Sequence, residues 1–326
     1  MSADAAGLEP RSNTIVGWIE AMGFVLCIGV IGVVYALAHA MGSHVVALML
    51  YSMMLSGIAL VLLIGRSGAD AAIARAPISW LLGSANILVE AAYFLIVVWV
   101  TPAEASLLVR QALPWSLVAG AALFGLRAGW LSWVGAGMVA GAVGWLVVSL
   151  PGEQRWLALA FSALCALSFV TRSFASEFHP WNRAARTIRQ KMQVTGVVTL
   201  VTALGGWALV GALMLAVNAG ALPATPMLPR PADFAHAPTL IIAALVGAAI
   251  FTAMNYCAFS SVVKIGTDGF IAASTFTTPA TLLVQYVAVW LGIIAPPVFG
   301  WALLPAMSLA IVGVLVFVWG QRRARA

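Results

Sequence analysis

Apolar stretches of about twenty residues, separated by only a few polar ones, constrain this chain more than any other feature. A bilayer core about 30 Å thick takes roughly 20 helical residues to cross. With no water to satisfy backbone groups, each crossing segment has to be a helix. Read between polar breaks, the runs predict ten spans, over 14–38, 45–64, 78–100, 103–124, 129–149, 155–176, 192–217, 238–261, 268–290 and 296–319. Only 8% of the 326 residues are charged and 63% are hydrophobic. A soluble chain of this size has too little interior for so much apolar side chain, so the surplus faces lipid. The fold class that follows is an all-α membrane protein.

The few charges are segregated. Arg11, Arg66, Arg75, Arg127, Arg183, Arg186, Arg189, Lys191, Lys264, Arg322, Arg323 and Arg325 all fall on the side that would hold both termini. The opposite side keeps Arg155 and Arg230. The positive-inside rule then predicts cytoplasmic termini in a multi-pass protein of the cell membrane. The net charge of +6 is spread over short loops and carries no basic stripe of the kind that binds nucleic acid. Trp18, Trp80, Trp133, Trp181 and Trp319 mark one interface, and Trp99, Trp145, Trp156, Trp290 and Trp301 the other. Trp115 and Trp207 sit deeper, as packing residues. Cys27, Cys165 and Cys257 lie inside spans without metal spacing and read as small core residues. The N-terminus lacks the pattern of a cleavable signal, so the first span is expected to be retained.

The halves are related. A shift of 165 residues lays VVWVTPAEA (97–105) on VVKIGTDGF (262–270), Pro114 on Pro279 and Glu90 on Asn255. A weaker shift of 138 lays Trp18 on Trp156 and Cys27 on Cys165. Five spans per half is odd, so the second copy enters the membrane from the other side. Ten transmembrane helices as two inverted five-helix repeats is the architecture expected. The division is a tail at 1–13, repeats at 14–150 and 151–320, and a basic tail at 321–326.

The pattern of a span, a short polar turn, a proline-bearing span and a Gly-rich span runs through AAYFLIVVWVTPAEASLLVRQALPWSLVAGAALFGLRAGWLSWVGAGMVAGAVGWLVV. It recurs in NYCAFSSVVKIGTDGFIAASTFTTPATLLVQYVAVWLGIIAPPVFGWALLPAMSLAIVGVLVFVW. Both stretches resemble the EamA-type repeat of the drug/metabolite transporter superfamily. That resemblance implies a ten-helix fold and movement of small organic solutes, often outward.

Four ionisable residues, Glu20, Glu90, Arg110 and Arg172, fall inside spans, where a charge costs at least about 2.5–3.5 kcal/mol. Asn86, Glu90 and Tyr93 follow i, i+4, i+7 spacing and share a helix face. Ser106, Arg110 and Pro114 share one on the next span, with Gln111 beside them. Glu90 and Arg110 differ in depth by only about 5 Å, so they are expected to pair. The pair is either a structural bridge or a binding site, with an ammonium at Glu90 and a carboxylate at Arg110. Glu90 is also a candidate for proton exchange, with Glu20 as the second. The matching face in the other half offers Thr252, Asn255, Tyr256, Ser274, Thr275 and Thr278, all uncharged. Pro114 and Pro279 are expected to kink their helices and free a carbonyl near Arg110 and Thr275. Glu20 is expected at the cytoplasmic interface or along an inward vestibule. Arg172 is expected to snorkel, and His39 and His44 to be solvated. The G-x-x-x-G at Gly137–Gly141 is expected to pack within the monomer.

Enzyme chemistry finds no footing. No Ser/His or paired-Asp constellation lies at depth, and no phosphate-binding glycine loop exists. No metal site or cofactor is expected. The leading reading is a secondary transporter, outward-directed, of amino acids or similar zwitterions, with membrane lipids around it and H+ as a candidate coupling ion. The alternatives are transport of cationic or quaternary-ammonium compounds through Glu90 and Glu20, and a channel or accessory subunit. A channel would show rings of like charge or repeated carbonyl motifs.

Overall fold

The computed structural model describes residues 11–65, 70–225, 227–296 and 300–325, and every regular element among them is helical. Nine helical stretches among these residues are long and apolar enough to cross a bilayer, the composition of a multi-pass membrane protein. They form α1 (Arg11–Ala40), α2 (Val45–Ile64), α3 (Pro77–Trp99), α4 (Pro102–Phe124), α5 (Trp130–Ser149), α6 (Gly152–Phe178), α7 (Ile188–Asn218), the long helix Ala237–Ser274, and α10 (Leu303–Arg325). Helix is already running at Arg11, inside the tail expected at 1–13; residues 1–10 lie outside the described residues.

The local sequence explains the ends. Proline opens α3 and α4, where its missing N–H is not needed. Thr101 and Glu104 form a capping box on α4, and Thr187 and Gln190 form one on α7. Gly125 closes α4 in the left-handed conformation.

Ala237–Ser274 runs as one helical stretch over the expected gap at 262–267, but its break lies inside that gap. It breaks at Gly266, whose φ of 76° and ψ of 161° suit only a residue without Cβ. We therefore call 237–265 α8 and 267–290 α9. The second of these is broken again: 267–274 is helical, 275–276 turns, and Thr277–Trp290 resumes. α4 is interrupted in the same way, by a 3₁₀ turn at Val109–Gln111. The cause is Pro114 in one case and Pro279 in the other, each crowding the carbonyl four residues earlier and denying it a donor. Shifted by 165 residues, the α4 interruption at 109–111 falls on 274–276. α10 begins at Leu303, later than the expected 296.

Packing follows a definite pairing. α1 lies on α8, α3 on α6, α2 on α7, α5 on α10, and α4 on α9; α1 also meets α9, as α6 meets α4. Gly135 and Gly313 bring α5 and α10 together, since a Cβ on Gly313 would stand 2.7 Å from the Gly135 carbonyl. Gly137, Gly141 and Gly144 meet nothing within 4 Å, so the G-x-x-x-G faces away from the bundle and does not pack within it. Trp115 is likewise on the outer surface, while Trp207 packs edge-on against Tyr51 and tilted against Phe234.

Candidate functional site

The expected Glu90–Arg110 pair does not form. Glu90 is fully buried on α3 and faces Arg172 of α6, with Nη1 3.7 Å from Oε1. Its other oxygen accepts a 2.8 Å hydrogen bond from Tyr35 of α1. Arg172 Nη1 also donates to Asn86 Oδ1 at 2.8 Å. Asn86 passes the contact across to α8, Nδ2 donating to Asn255 Oδ1 at 3.2 Å, and Asn255 Nδ2 reaches Ser56 Oγ of α2 at 3.5 Å. Five helices thus meet on one polar chain: Tyr35, Ser56, Glu90 with Asn86, Arg172, and Asn255.

Arg172 does not snorkel. It is 4% exposed, and the ground beneath it is occupied. Buried Asn182 ties Ser176 O to Phe259 O, both at 2.9 Å, and buried His179 bonds Ser79 Oγ at 3.0 Å. With the loop after α6 plugged into the bundle, an arginine two turns back has no route to water. Burial pushes the His179 imidazole down to about 4. The guanidinium carbon instead lies 5.3 Å from the Phe24 ring centroid and 4.8 Å from that of Phe169.

The ion pair is incompletely bonded. Glu90 Oε1 and Arg172 Nη2 are buried without a hydrogen-bond partner. Beside Arg172 lies a cavity of about 20 Å³, lined by Asn86, Arg172, Ser176, Thr195, Thr199 and Asn255 among others. That space admits about one water and brings α3, α6, α7 and α8 to one point.

Arg110 has a different occupation. Its Nε donates to Ser106 O at 2.8 Å and its Nη1 to both the carbonyl and the hydroxyl of Ser274. Ser106 and Ser274 sit at the C-terminal ends of the half-helices Pro102–Leu108 and 267–274. Each such end carries a partial negative charge of roughly half an electron, so one guanidinium is balanced by two helix termini. Arg110 pins α4 to α9 where both are broken.

The other expected residues divide. Gln111 bonds Ser162 Oγ at 2.8 Å and its own helix at Leu108 O. Tyr93 donates weakly to Pro102 O at 3.4 Å. Tyr256, a helix step of about 100° from Asn255, turns to Glu20 at 3.4 Å. The hydroxyls of Thr275 and Thr278 are buried without a partner at the α9 break, apart from the Glu90 chain. Glu20 is paired rather than free: Lys264 Nζ lies 2.6 Å away and Ser260 Oγ 2.9 Å away. His39 is exposed, whereas His44 caps α2 through Nδ1 on Val46 N at 3.2 Å.

Tyr35, Arg172, Phe24 and Phe169 were not among the expected site residues. One signal was readable: Phe24, Ile28, Ile31 and Tyr35 recur at i, i+4, i+7, i+11, a single face that the fold buries completely.

No protein-family profile matches the chain, and no curated protein does. Solved structures do. The chain is similar to a protein of known crystal structure at 19% identity and a TM-score of 0.58, over 95% of this chain and 99% of that one. Two chains this different in sequence, matched almost end to end, share a fold.

Proposed function

We propose that the protein is a secondary transporter of a small organic solute, of the drug/metabolite type, working by alternating access around Glu90 and Arg172. The helix pairing supports two halves, 14–150 and 151–320. Exchanging each of the first five helices with the one five later returns the same contacts, α1·α8 becoming α6·α3 and α1·α9 becoming α6·α4. The coincident breaks at 109–111 and 274–276 support it independently. Ten crossings in two odd halves make the repeat inverted, with both termini in the cytoplasm of a cell-membrane exporter.

One observation carries the assignment of the site: a buried carboxylate and guanidinium, 3.7 Å apart, each keep an unbonded atom, and the guanidinium lines a small cavity shared by four helices. A purely structural bridge at that depth would be expected to saturate its hydrogen bonds, because desolvation makes each missing one expensive. A zwitterion supplies both missing partners, its carboxylate to Arg172 Nη2 and its ammonium to Glu90 Oε1. An amino-acid-sized solute needs more than 20 Å³, so α3, α6, α7 and α8 must part to admit it. Glu20 is less suited to a cation, since Lys264 already neutralises it. Glu90 remains the residue through which a proton would couple to the cycle.

Uptake into proteoliposomes tests this, across zwitterionic, cationic and anionic solutes, with and without a pH gradient. Zwitterion flux should appear in the intact protein and vanish in Glu90→Gln and in Arg172→Gln. Flux of no solute above protein-free liposomes, or undiminished flux in both variants, would sink it.

A further inference from the structure

Away from the Glu90 chain, a groove stays open on the flank of the bundle. α10 packs on α5 and only brushes α9, while α1 packs on α8 and α9, so α1 and α10 stand apart with α9 between them. Gly269, Ala272, Ala273 and Phe276, at i, i+3, i+4 and i+7, share one face of α9 and form the floor. Two cavities of about 380 and 300 Å³ lie along it and join at Trp18 and Val318. Their chemistry differs. The first is lined by Thr14, Lys264 and Gln321 beside the Gly266 turn. The second has only apolar walls, with Phe276, Val314, Leu315 and Trp319 added to the two shared residues.

Polarity and length together define the occupant. From Gly266 to Phe276 the groove runs about 15 Å at 1.5 Å per residue, the depth of one leaflet's hydrocarbon. Trp18 and Trp319 flank it, as aromatic residues do at headgroup level. The Arg323 guanidinium carbon lies 4.0 Å from the Trp319 ring centroid, and among the described residues no carboxylate pairs with it. Lys264 gives one N–H to Glu20 at 2.6 Å and keeps two more donors. A phosphodiester suits this pair, since a guanidinium forks onto two of its oxygens and an ammonium adds a point charge. A second copy of the chain does not fit, because 15 Å of a helix about 10 Å across needs roughly 1,200 Å³. A charged solute finds no partner along the apolar half.

We propose that the groove between α1, α9 and α10 binds one phospholipid with a net-anionic headgroup. Its phosphate meets Lys264 and Arg323, and one acyl chain runs past Trp18 and Val318 to Phe276. The site shares no residue with the Glu90 chain, so its failure and that of the transport reading are distinguishable.

Native mass spectrometry of the purified full-length protein, given equal amounts of palmitoyl-oleoyl phosphatidylglycerol and phosphatidylcholine, reads occupancy and choice. Phosphatidylglycerol should be retained over phosphatidylcholine by about five-fold or more, the factor a basic side chain contributes near a membrane surface. Arg323→Gln should lower that preference by about the same factor. Val318→Trp, which puts bulk where the two cavities join, should release both lipids. Should Val318→Trp not fold, phosphatidylglycerol with a diazirine on its acyl chain locates the site in the unsubstituted protein, with label expected within 272–276 and 314–319. Equal retention of the two lipids, a preference unchanged by Arg323→Gln, or label elsewhere overturns the proposal. So does displacement by glycerophosphoglycerol, the headgroup without chains, which would mark a free-phosphate site. A dimer split by Val318→Trp would overturn it too, making the groove a contact between copies.

Discussion

At the residue scale, the most exacting demand falls on Glu90. Removing one partner of a buried pair leaves the other charge unpaired, at a cost of about 3–5 kcal/mol. Glu90→Gln and Arg172→Gln should each destabilise the protein by about that much in denaturant or thermal unfolding. The double substitution should be less destabilised than the sum of the singles, and a strictly additive cycle would show that the two do not interact. His179 offers a second handle, outside the spans. Its folded value of about 4 lies below the ordinary histidine value of about 6.5, so the unfolded chain binds the proton first. The stability this provides is complete above pH 6.5 and is lost as pH falls through 4, by about 3 kcal/mol in all. His179→Gln should flatten the stability profile between pH 4 and 6.5; a profile unchanged by the substitution would show that another group titrates there. The two residues also show how much of the site was legible. Glu90, Asn86 and Asn255 were readable because a charge or amide at mid-span has no cheap environment. Arg172 was misread because its distance from the helix end was known and the loop plugging that end was not.

At the element scale, breaks matter as much as helices. Pro114 and Pro279 were readable as kinks, since proline affects its helix locally whatever surrounds it. What receives the freed carbonyls was not readable. Arg110 holds Ser106 O on its own helix and Ser274 O, 164 residues away in sequence, a pairing created only when two half-helix ends meet. Arg110→Gln should therefore loosen the α4–α9 crossing and lower Tm while leaving solute affinity in the remaining folded protein little changed. A large loss of affinity at unchanged Tm would return Arg110 to the binding site. Gly266 is held at a positive φ by the α8–α9 turn, where its neighbour Thr267 donates its N–H to Glu177 Oε2 at 2.8 Å. Gly266→Ala should cost about 1–3 kcal/mol by backbone strain alone, seen as a lower unfolding midpoint. Its break falls in the interval 262–267 that separates the eighth and ninth expected spans, where Lys264 and Thr267 interrupt the apolar run, so this boundary was legible in the sequence.

At the scale of the whole molecule, two ends of the bundle are closed by different contacts. On one, Glu20 holds Lys264, Glu177 caps Thr267, and Asp268 accepts from Gln321 at 3.2 Å. On the other, Glu104 accepts from Gly300 N at 3.0 Å and Trp145 packs on Trp301. If the cycle alternates between them, a reversible lock at one end stops it. In a chain with Cys27, Cys165 and Cys257 replaced, cysteines at 20 and 264 should be bridged by a short bis-methanethiosulfonate, and flux should fall and then return with reductant. Full flux in the cross-linked protein would exclude movement at that end.

By itself the sequence determined the class of the protein, the rough extent of most of its long apolar helices, and which polar residues are buried. Lipid allows no other backbone solution, and hydropathy along the chain reports burial directly. Tertiary structure alone decided who meets whom. Arg172 replaced Arg110 at Glu90, Lys264 claimed Glu20, and two prolines separated by 165 residues set their broken helices side by side. Those outcomes depend on helix rotation and neighbour order, which a pattern of apolar residues surrounded by equally apolar lipid does not encode.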